Sequence, residues 1–500
     1  MKENNNQHKT PFFTKLCTYS KTYVAPFDVP GHKRGGLKTD LTKKLGSKVF
    51  EFDSNSPRGL DTLSRPTGVI KEAQDLAAKA FNSDYAYFIT GGTTLSIQAM
   101  IMASVKANEK IIMPRNVHKS VINSLILSGG IPIFIKPIID PKLQIAVSIS
   151  TTSVIKAIDS HKDAKALFLI NPTYYGGTCD LKTIIEYAHS KNIIVLVDEA
   201  HGGNLYFGEN LPITAMEAGA DFSAVSIHKT NLSLTQSSIL LQKGTRVSIN
   251  RITATINILQ STSPSQLLIA SLDTSRKYMF LNGRKEIEKL LFLSQKYIEL
   301  LNQIPGISVK SKDHFIAVGT HDYDRTKLLI DVSKLSISGF DVYKLLADKY
   351  NVQIELAEES IILCVLSIAQ HEKDFEYLLY GLKEISKQFY SLQEYYYPKI
   401  PLNYPKRCLR PRVAYHAPSI TININDSLDE ICAESIMVYP PGIPLIIPGE
   451  KIDLKIISSI NNYIKNNLIL LSESDLGKIK VVDKTRWSRK QKGEAYENQK

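Results

Sequence analysis

Asp221-Phe-Ser-Ala-Val-Ser-Ile-His-Lys-Thr-Asn-Leu-Ser-Leu-Thr-Gln-Ser-Ser-Ile-Leu-Leu241 reads as strand, polar loop, strand. The apolar run Phe222 to Ile227 delivers Ser226, His228 and Lys229 to the loop, and Ser238 to Leu241 resumes the extended pattern. A lysine at the edge of a core is expected to lose some of its charge preference, because desolvation disfavours the ammonium form. The neutral amine is a nucleophile that condenses with an aldehyde. Most lysines beside a strand are solvated turn residues, so this segment alone does not establish catalysis.

Upstream, short apolar strands alternate with helical periodicity. Helix Gly68–Ala80 precedes strand Tyr85–Ile89, and Thr90-Gly-Gly-Thr-Thr94 leads into a helix over Leu95–Ala103. Strands Lys110–Met113, Ile131–Ile135, Ala166–Ile170 and Ile193–Val197 follow, with a helix ending near Leu127 and helices Val154–Ser160 and Leu181–Ser190 between them. Such alternation predicts an α/β layer on a mostly parallel sheet, in which ligands sit beyond the carboxyl ends of the strands. The polar clusters fall at those ends: Thr90–Thr94, Arg115–His118, Asn171–Tyr175, Asp198–His201 and Ser226–Lys229.

The rest divides by composition. Residues 1–55 form an N-terminal arm, with a turn-rich Pro26–Gly36 stretch presenting His32 and Lys33. Residues 56–285 form the large domain, 286–395 a smaller α+β domain, and 396–500 a C-terminal α+β domain entered through a Pro/Tyr-rich linker and ending in a basic tail.

The 500 residues carry a net charge of +12, with 43% hydrophobic and 22% charged residues. That is the profile of an ordinary globular protein. The basic residues are dispersed, and no Cys/His finger, RNP-like motif or arginine-rich tract supports nucleic-acid binding. No apolar run is long enough for a membrane span. The five scattered cysteines form no CxxC pair, which argues against a thiolate metal site and for the reducing cytoplasm.

The chemistry converges on one cofactor. A Gly/Thr loop at a helix N-terminus suits a phosphate, because free N–H groups and hydroxyls point at the anion. Asp198 follows the run Ile193–Val197, so its carboxylate emerges from a buried strand. For this residue alone, a structural Asp bonded to nearby backbone N–H groups is the better reading. Otherwise the place is a costly one for a charge unless it has a cationic partner. A protonated pyridine nitrogen is such a partner. His118 is a candidate to stack on the ring, and Lys229 to form the Schiff base. Together these fit pyridoxal 5′-phosphate, with no metal.

The chain resembles the Orn/Lys/Arg decarboxylase family, pyridoxal-phosphate enzymes of the aspartate-aminotransferase fold type I, and among them the short biosynthetic arginine decarboxylases of bacteria. The resemblance is carried, in family order, by Pro30-Gly-His-Lys33, Ile70–Ala78, Pro114-Arg-Asn-Val-His-Lys-Ser120, Asn171-Pro-Thr-Tyr-Tyr-Gly176, Val197-Asp-Glu-Ala-His-Gly202, Ser226-Ile-His-Lys229 with Leu234–Ser238, Ser261-Thr-Ser-Pro-Ser265, and Tyr439-Pro-Pro-Gly-Ile-Pro444 with Pro448-Gly-Glu450. It implies that Lys229 carries the cofactor, Asp198 holds the ring nitrogen, and His118 and Ala200 cover the two ring faces. His201 lies near the ring substituents. Thr93, Thr94, Ser226 and His228 bind the phosphate, with Thr262 or Ser263 of a neighbouring subunit; Glu355 and Glu358 line the substrate pocket. A homodimer or larger assembly is implied, decarboxylating a basic amino acid (arginine favoured over lysine or ornithine) for polyamine biosynthesis. Departures are Asp28 where the family has histidine, Gly91-Gly-Thr-Thr94 in the phosphate loop, and Thr-Asn after Lys229. The alternatives are an aminotransferase or lyase on the same fold, or a non-catalytic paralogue. No arginine motif for a retained α-carboxylate stands out in the small domain, and a degenerate copy need not keep both Asp198 and Lys229.

Overall fold

The computed structural model describes residues 6–57, 59–392, 404–438, 442–465 and 470–487. Most of the Pro/Tyr-rich linker, Tyr439 to Pro441 of the proline motif, and Arg489, Lys490 and Lys492 of the basic tail lie outside those residues.

The central sheet has seven strands: β1 (Tyr85–Ile89), β2 (Lys110–Pro114), β3 (Ile131–Ile135), β4 (Ala166–Ile170), β5 (Ile194–Asp198), β6 (Phe222–Val225) and β7 (Ser238–Gln242), in the order β1-β7-β6-β5-β4-β2-β3. β7 runs antiparallel to β1 and β6, while the pairs β5–β6, β2–β4 and β2–β3 are parallel. The expected mostly parallel α/β sheet is therefore present. By compactness the chain divides into two units: residues 1–103, 196–292 and 366–370, and residues 104–195, 293–365 and 371–500.

In the first unit, α1 (Pro11–Lys21) is the amphipathic segment of the arm, with Phe12 and Leu16 fully buried. Asp273 ties it down by accepting from the backbone N–H groups of Phe12 and Phe13 (3.1 and 3.2 Å), while Arg276 bonds both Asp273 (2.7 Å) and Gln7 O (2.6 Å). Next come α2 (Val69–Ala80) and α3 (Gly92–Ser104). Because β1 and β6 are both antiparallel to β7, and β5 runs parallel to β6, the carboxyl ends of β1, β5 and β6 share one edge. Thr90–Thr94, Asp198–His201 and Ser226–Lys229 all follow those ends.

In the second unit, α4 (Lys119–Ser128) follows β2 and is N-capped by His118. A four-stranded antiparallel sheet in the order Ser308–Val309, Lys327–Asp331, Ile361–Val365, Leu356–Ala357 forms the small α+β domain. Its core joins Phe315, Leu329, Leu356, Ile361 and Leu363 to Tyr175 and Val147. The C-terminal α+β domain has its own core of Ile424, Ile436, Ile446, Ile456, Ile460 and Ile479. It is fastened by arginines: Arg407 donates to Pro132 O (2.7 Å) and Arg412 to Leu127 O (3.1 Å). No helix among the described residues is long and apolar enough to cross a membrane.

Candidate active site

The phosphate loop is tighter than its composition suggests. α3 begins at Gly92, three residues before the predicted start; Gly92 itself takes the left-handed φ of +69° that turns the chain into the helix, and donates its N–H to Gln236 O (2.8 Å). A Cβ at Gly91 would stand 2.6 Å from a Leu95 methyl, so any larger residue there would have to push the Leu95 side chain aside. The first-turn N–H groups of such a helix have no intrahelical acceptor.

Thr93 sits in that turn within a buried run of hydroxyls. Its Oγ1 is 2.5 Å from Ser226 Oγ and 3.0 Å from Ser238 Oγ, and Ser238 Oγ lies 3.0 Å from Ser96 Oγ and donates to Val225 O (2.8 Å). Thr94 on the same turn is exposed. Thr262 and Ser263 are exposed in the bend before the helix Gln266–Leu301, where Ser263 N donates to Ser261 Oγ (3.1 Å). They do not join the hydroxyl run within this chain.

Lys229 lies on a four-residue helical turn, α5 (Ile227–Thr230). The predicted strand to Ile227 thus ends at Val225, and the lysine is presented from helical backbone. Lys229 Nζ pairs with His201 Nε2 at 2.9 Å. An ammonium can only donate, so Nε2 then accepts. Lys229 is exposed, at the edge of the core formed by the strand that precedes it.

Asp198 ends β5 and is buried, with Oδ1 accepting from Ala200 N (3.0 Å). Burial raises its pKa, while the Ala200 N–H and the charge of Lys229 pull it back down. Lys229 and Asp198 therefore lie within each other's field. His228 Nδ1 faces Ser237 O at 2.8 Å, and a carbonyl can only accept, so Nδ1 carries the proton. Burial holds the His228 pKa below its usual range; the Ser237 bond opposes this and the Lys229 charge adds to it.

These residues fit pyridoxal phosphate on the chemistry of their donors. A buried carboxylate with one backbone donor suits a ring N–H⁺, and a helix N-terminus beside clustered hydroxyls suits a phosphate. Among the described residues no group of three or more His, Cys, Asp or Glu is placed to hold a metal ion.

In the second unit, His118 Nδ1 accepts from Ser120 N (3.2 Å), which fixes the ring at the start of α4. Glu355 accepts from the Tyr174 hydroxyl, and Glu358 from that of Tyr175 (3.0 Å). Burial pushes the Glu358 pKa up to about 7, against the Tyr175 bond and with the help of Glu359. Sequence reasoning assigned those tyrosines no part, although they stand in a quoted motif. It also passed over Glu199, whose Oε1 accepts from Ala215 N (2.9 Å) and whose Oε2 accepts from Ser223 Oγ (2.5 Å) and the Tyr206 hydroxyl.

The sheet and strand-end cluster define the fold of the fold-type-I pyridoxal-phosphate enzymes. The solved lysine decarboxylase A of Pseudomonas aeruginosa superimposes with a TM-score of 0.82 at 19% identity, over 96% of this chain and 81% of that one. The model of the Orn/Lys/Arg decarboxylase major domain matches residues 10–374, and that of the C-terminal domain residues 401–467. The chain belongs to the Orn/Lys/Arg decarboxylase family and is an amino-acid decarboxylase. It is 41% identical to the arginine decarboxylase of Bacillus subtilis, over 93% of this chain and 94% of that protein. Identity to the arginine decarboxylase of Halalkalibacterium halodurans is 42%, over 89% and 91%.

Proposed function

We propose that the protein is a pyridoxal-phosphate-dependent arginine decarboxylase that releases CO₂ and the corresponding amine for polyamine biosynthesis. The observation that carries the cofactor reading is Lys229 Nζ on His201 Nε2 at 2.9 Å, with the buried Asp198 carboxylate in the lysine's field. Arginine is favoured by the two relatives named for it, each matched over most of its length.

In this reading each residue has a distinct task. When bound, the cofactor supplies an electron sink for the pair left by CO₂. Asp198 would keep a ring nitrogen protonated, since its buried carboxylate needs a cationic partner. Thr93, Thr94, Ser226, His228 and the first turn of α3 hold the phosphate, joined by Thr262 or Ser263 of a second subunit. His118 and Ala200 cover the ring faces. Lys229 would hold the cofactor, and its amine, oriented by His201, would carry the proton to the substrate carbon. Glu355 and Glu358, held by Tyr174 and Tyr175, face the cationic side chain; a guanidinium favours planar carboxylates.

A homodimer or larger assembly in the cytoplasm completes the reading. The assembly, though not its compartment, is suggested by the near-complete exposure of Tyr23 (91%) and Phe27 (98%) in the arm, aromatic side chains that a second subunit would cover. The test offers arginine, lysine and ornithine separately to cofactor-loaded protein and measures CO₂ and amine. Failure to trap a borohydride-reduced adduct at Lys229 sinks the cofactor reading. Turnover without CO₂ favours an aminotransferase, and preference for lysine or ornithine moves the substrate assignment.

A further inference from the structure

The loop carrying His118 is gripped on both sides by residues 442–450 of the C-terminal domain. On one side the buried Arg115 makes a forked bond to the buried Glu450, Nε to Oε1 at 2.9 Å and Nη2 to Oε2 at 2.8 Å, and its Nη1 donates to Pro444 O at 3.0 Å. On the other side Lys119 N donates to Gly442 O at 3.1 Å. Only residues 116–118 lie between the two anchors.

The anchors are themselves fixed. Glu450 also accepts from Ile447 N (3.0 Å). It follows Gly449, which takes φ +91° and where a Cβ would stand 2.2 Å from Leu409 O. The Arg115 guanidinium lies 5.5 Å from the Phe134 ring centre and 5.7 Å from that of Tyr404. A buried Arg–carboxylate pair is a weak source of stability, because apolar residues of similar volume do as well. What its planar fork supplies is orientation.

We propose that Gly442 and Glu450 are positioning residues for His118. The Pro/Gly turns of the C-terminal domain set the loop 115–119, and with it the tilt of the imidazole against the cofactor ring. This rests on His118 as the ring-stacking residue. It gives a task to Gly442–Pro444 and Pro448–Glu450, which the chemistry of Lys229 and Asp198 leaves unused.

The test removes one anchor without removing the fold. Lys119 is the first residue of α4, where proline is accepted. His118 has φ −63° and ψ 151°, which suits a residue preceding proline. Lys119→Pro therefore deletes the N–H that reaches Gly442, and Lys119→Ala, which keeps that N–H, is the reference. Glu450→Gln probes the other anchor. On holoenzyme, the cofactor dissociation rate and the visible circular dichroism of the bound cofactor are read beside kcat and KM.

Lys119→Pro is expected to speed cofactor loss about tenfold over Lys119→Ala and to weaken the dichroic band, since misplacement by about an ångström has effects of this size or larger. In a His118→Ala background the same change adds less than about twofold. Glu450→Gln follows the same pattern. Equal losses in both backgrounds, or none with His118 intact, overturn the proposal while leaving the stacking role standing. If His118→Ala alone changes neither the dissociation rate nor the dichroism, the stacking role fails and the proposal falls with it.

Discussion

Ser223 Oγ donates to Glu199 Oε2 at 2.5 Å, directly behind Asp198 in sequence. Burial raises the Glu199 pKa from 4.5 to about 7, against the bonds from Ser223, Tyr206 and Ala215 and with the help of Asp198. The fold therefore keeps a proton that the unfolded chain gives up. Its contribution is full below pH 4.5 and is lost as pH rises to about 7. Glu199→Gln should flatten the fall in stability across that window, by on the order of 2 kcal/mol at its upper end. Urea denaturation at a series of pH values checks this; an unchanged slope refutes it.

Lys229→Ala should abolish turnover and borohydride trapping. Lys229 is exposed but bonds the buried His201 and lies in the field of the buried Asp198, so the cofactor-free protein should lose stability modestly, by about 1 kcal/mol, and still fold. Thermal unfolding of the cofactor-free protein gives the second number, and a large loss there makes the lysine a structural residue.

Asp198→Asn should retain cofactor but lose kcat by about 10²–10³-fold, the scale of removing one preorganised electrostatic contact. Single-turnover CO₂ release against substrate concentration separates this from weakened binding. A change in KM alone contradicts the assigned role.

Glu450→Ala should cost about 3–5 kcal/mol, since it strands the Arg115 guanidinium in a dry pocket. Replacing both partners, Arg115→Met with Glu450→Leu, should recover most of that loss. Equilibrium unfolding of the single and double variants decides it, and additive losses would count against a coupled pair.

These strands were legible because each is a bounded apolar run: Tyr85–Ile89, Ile131–Ile135 and Ala166–Ile170 stand where the sequence places them. Ile227 shows the limit. A short apolar run does not distinguish a strand from a helical turn, and the backbone turns helical there. Gly92 and Thr93 read as loop because glycine and threonine are poor helix formers, yet a bond to Gln236, far away in sequence, starts the helix on them. Lys229, Asp198 and Thr93 were legible as candidates because strand ends and a glycine turn mark them locally. Glu199, Ser96 and Ser238 carry no such mark. Their partners come from other strands and helices, and periodicity within one segment does not encode them.

The hydroxyl run has a consequence for how occupancy can be followed. Thr93 belongs to α3, Ser226 to the end of β6 and Ser238 to the start of β7, so an anion seated there would staple three segments that separate when the chain unfolds. Heat resistance should then track cofactor concentration by mass action, rising about 1.4 kcal/mol for each tenfold excess over the dissociation constant. A melting curve becomes a titration, and inorganic phosphate alone should shift it in the same direction.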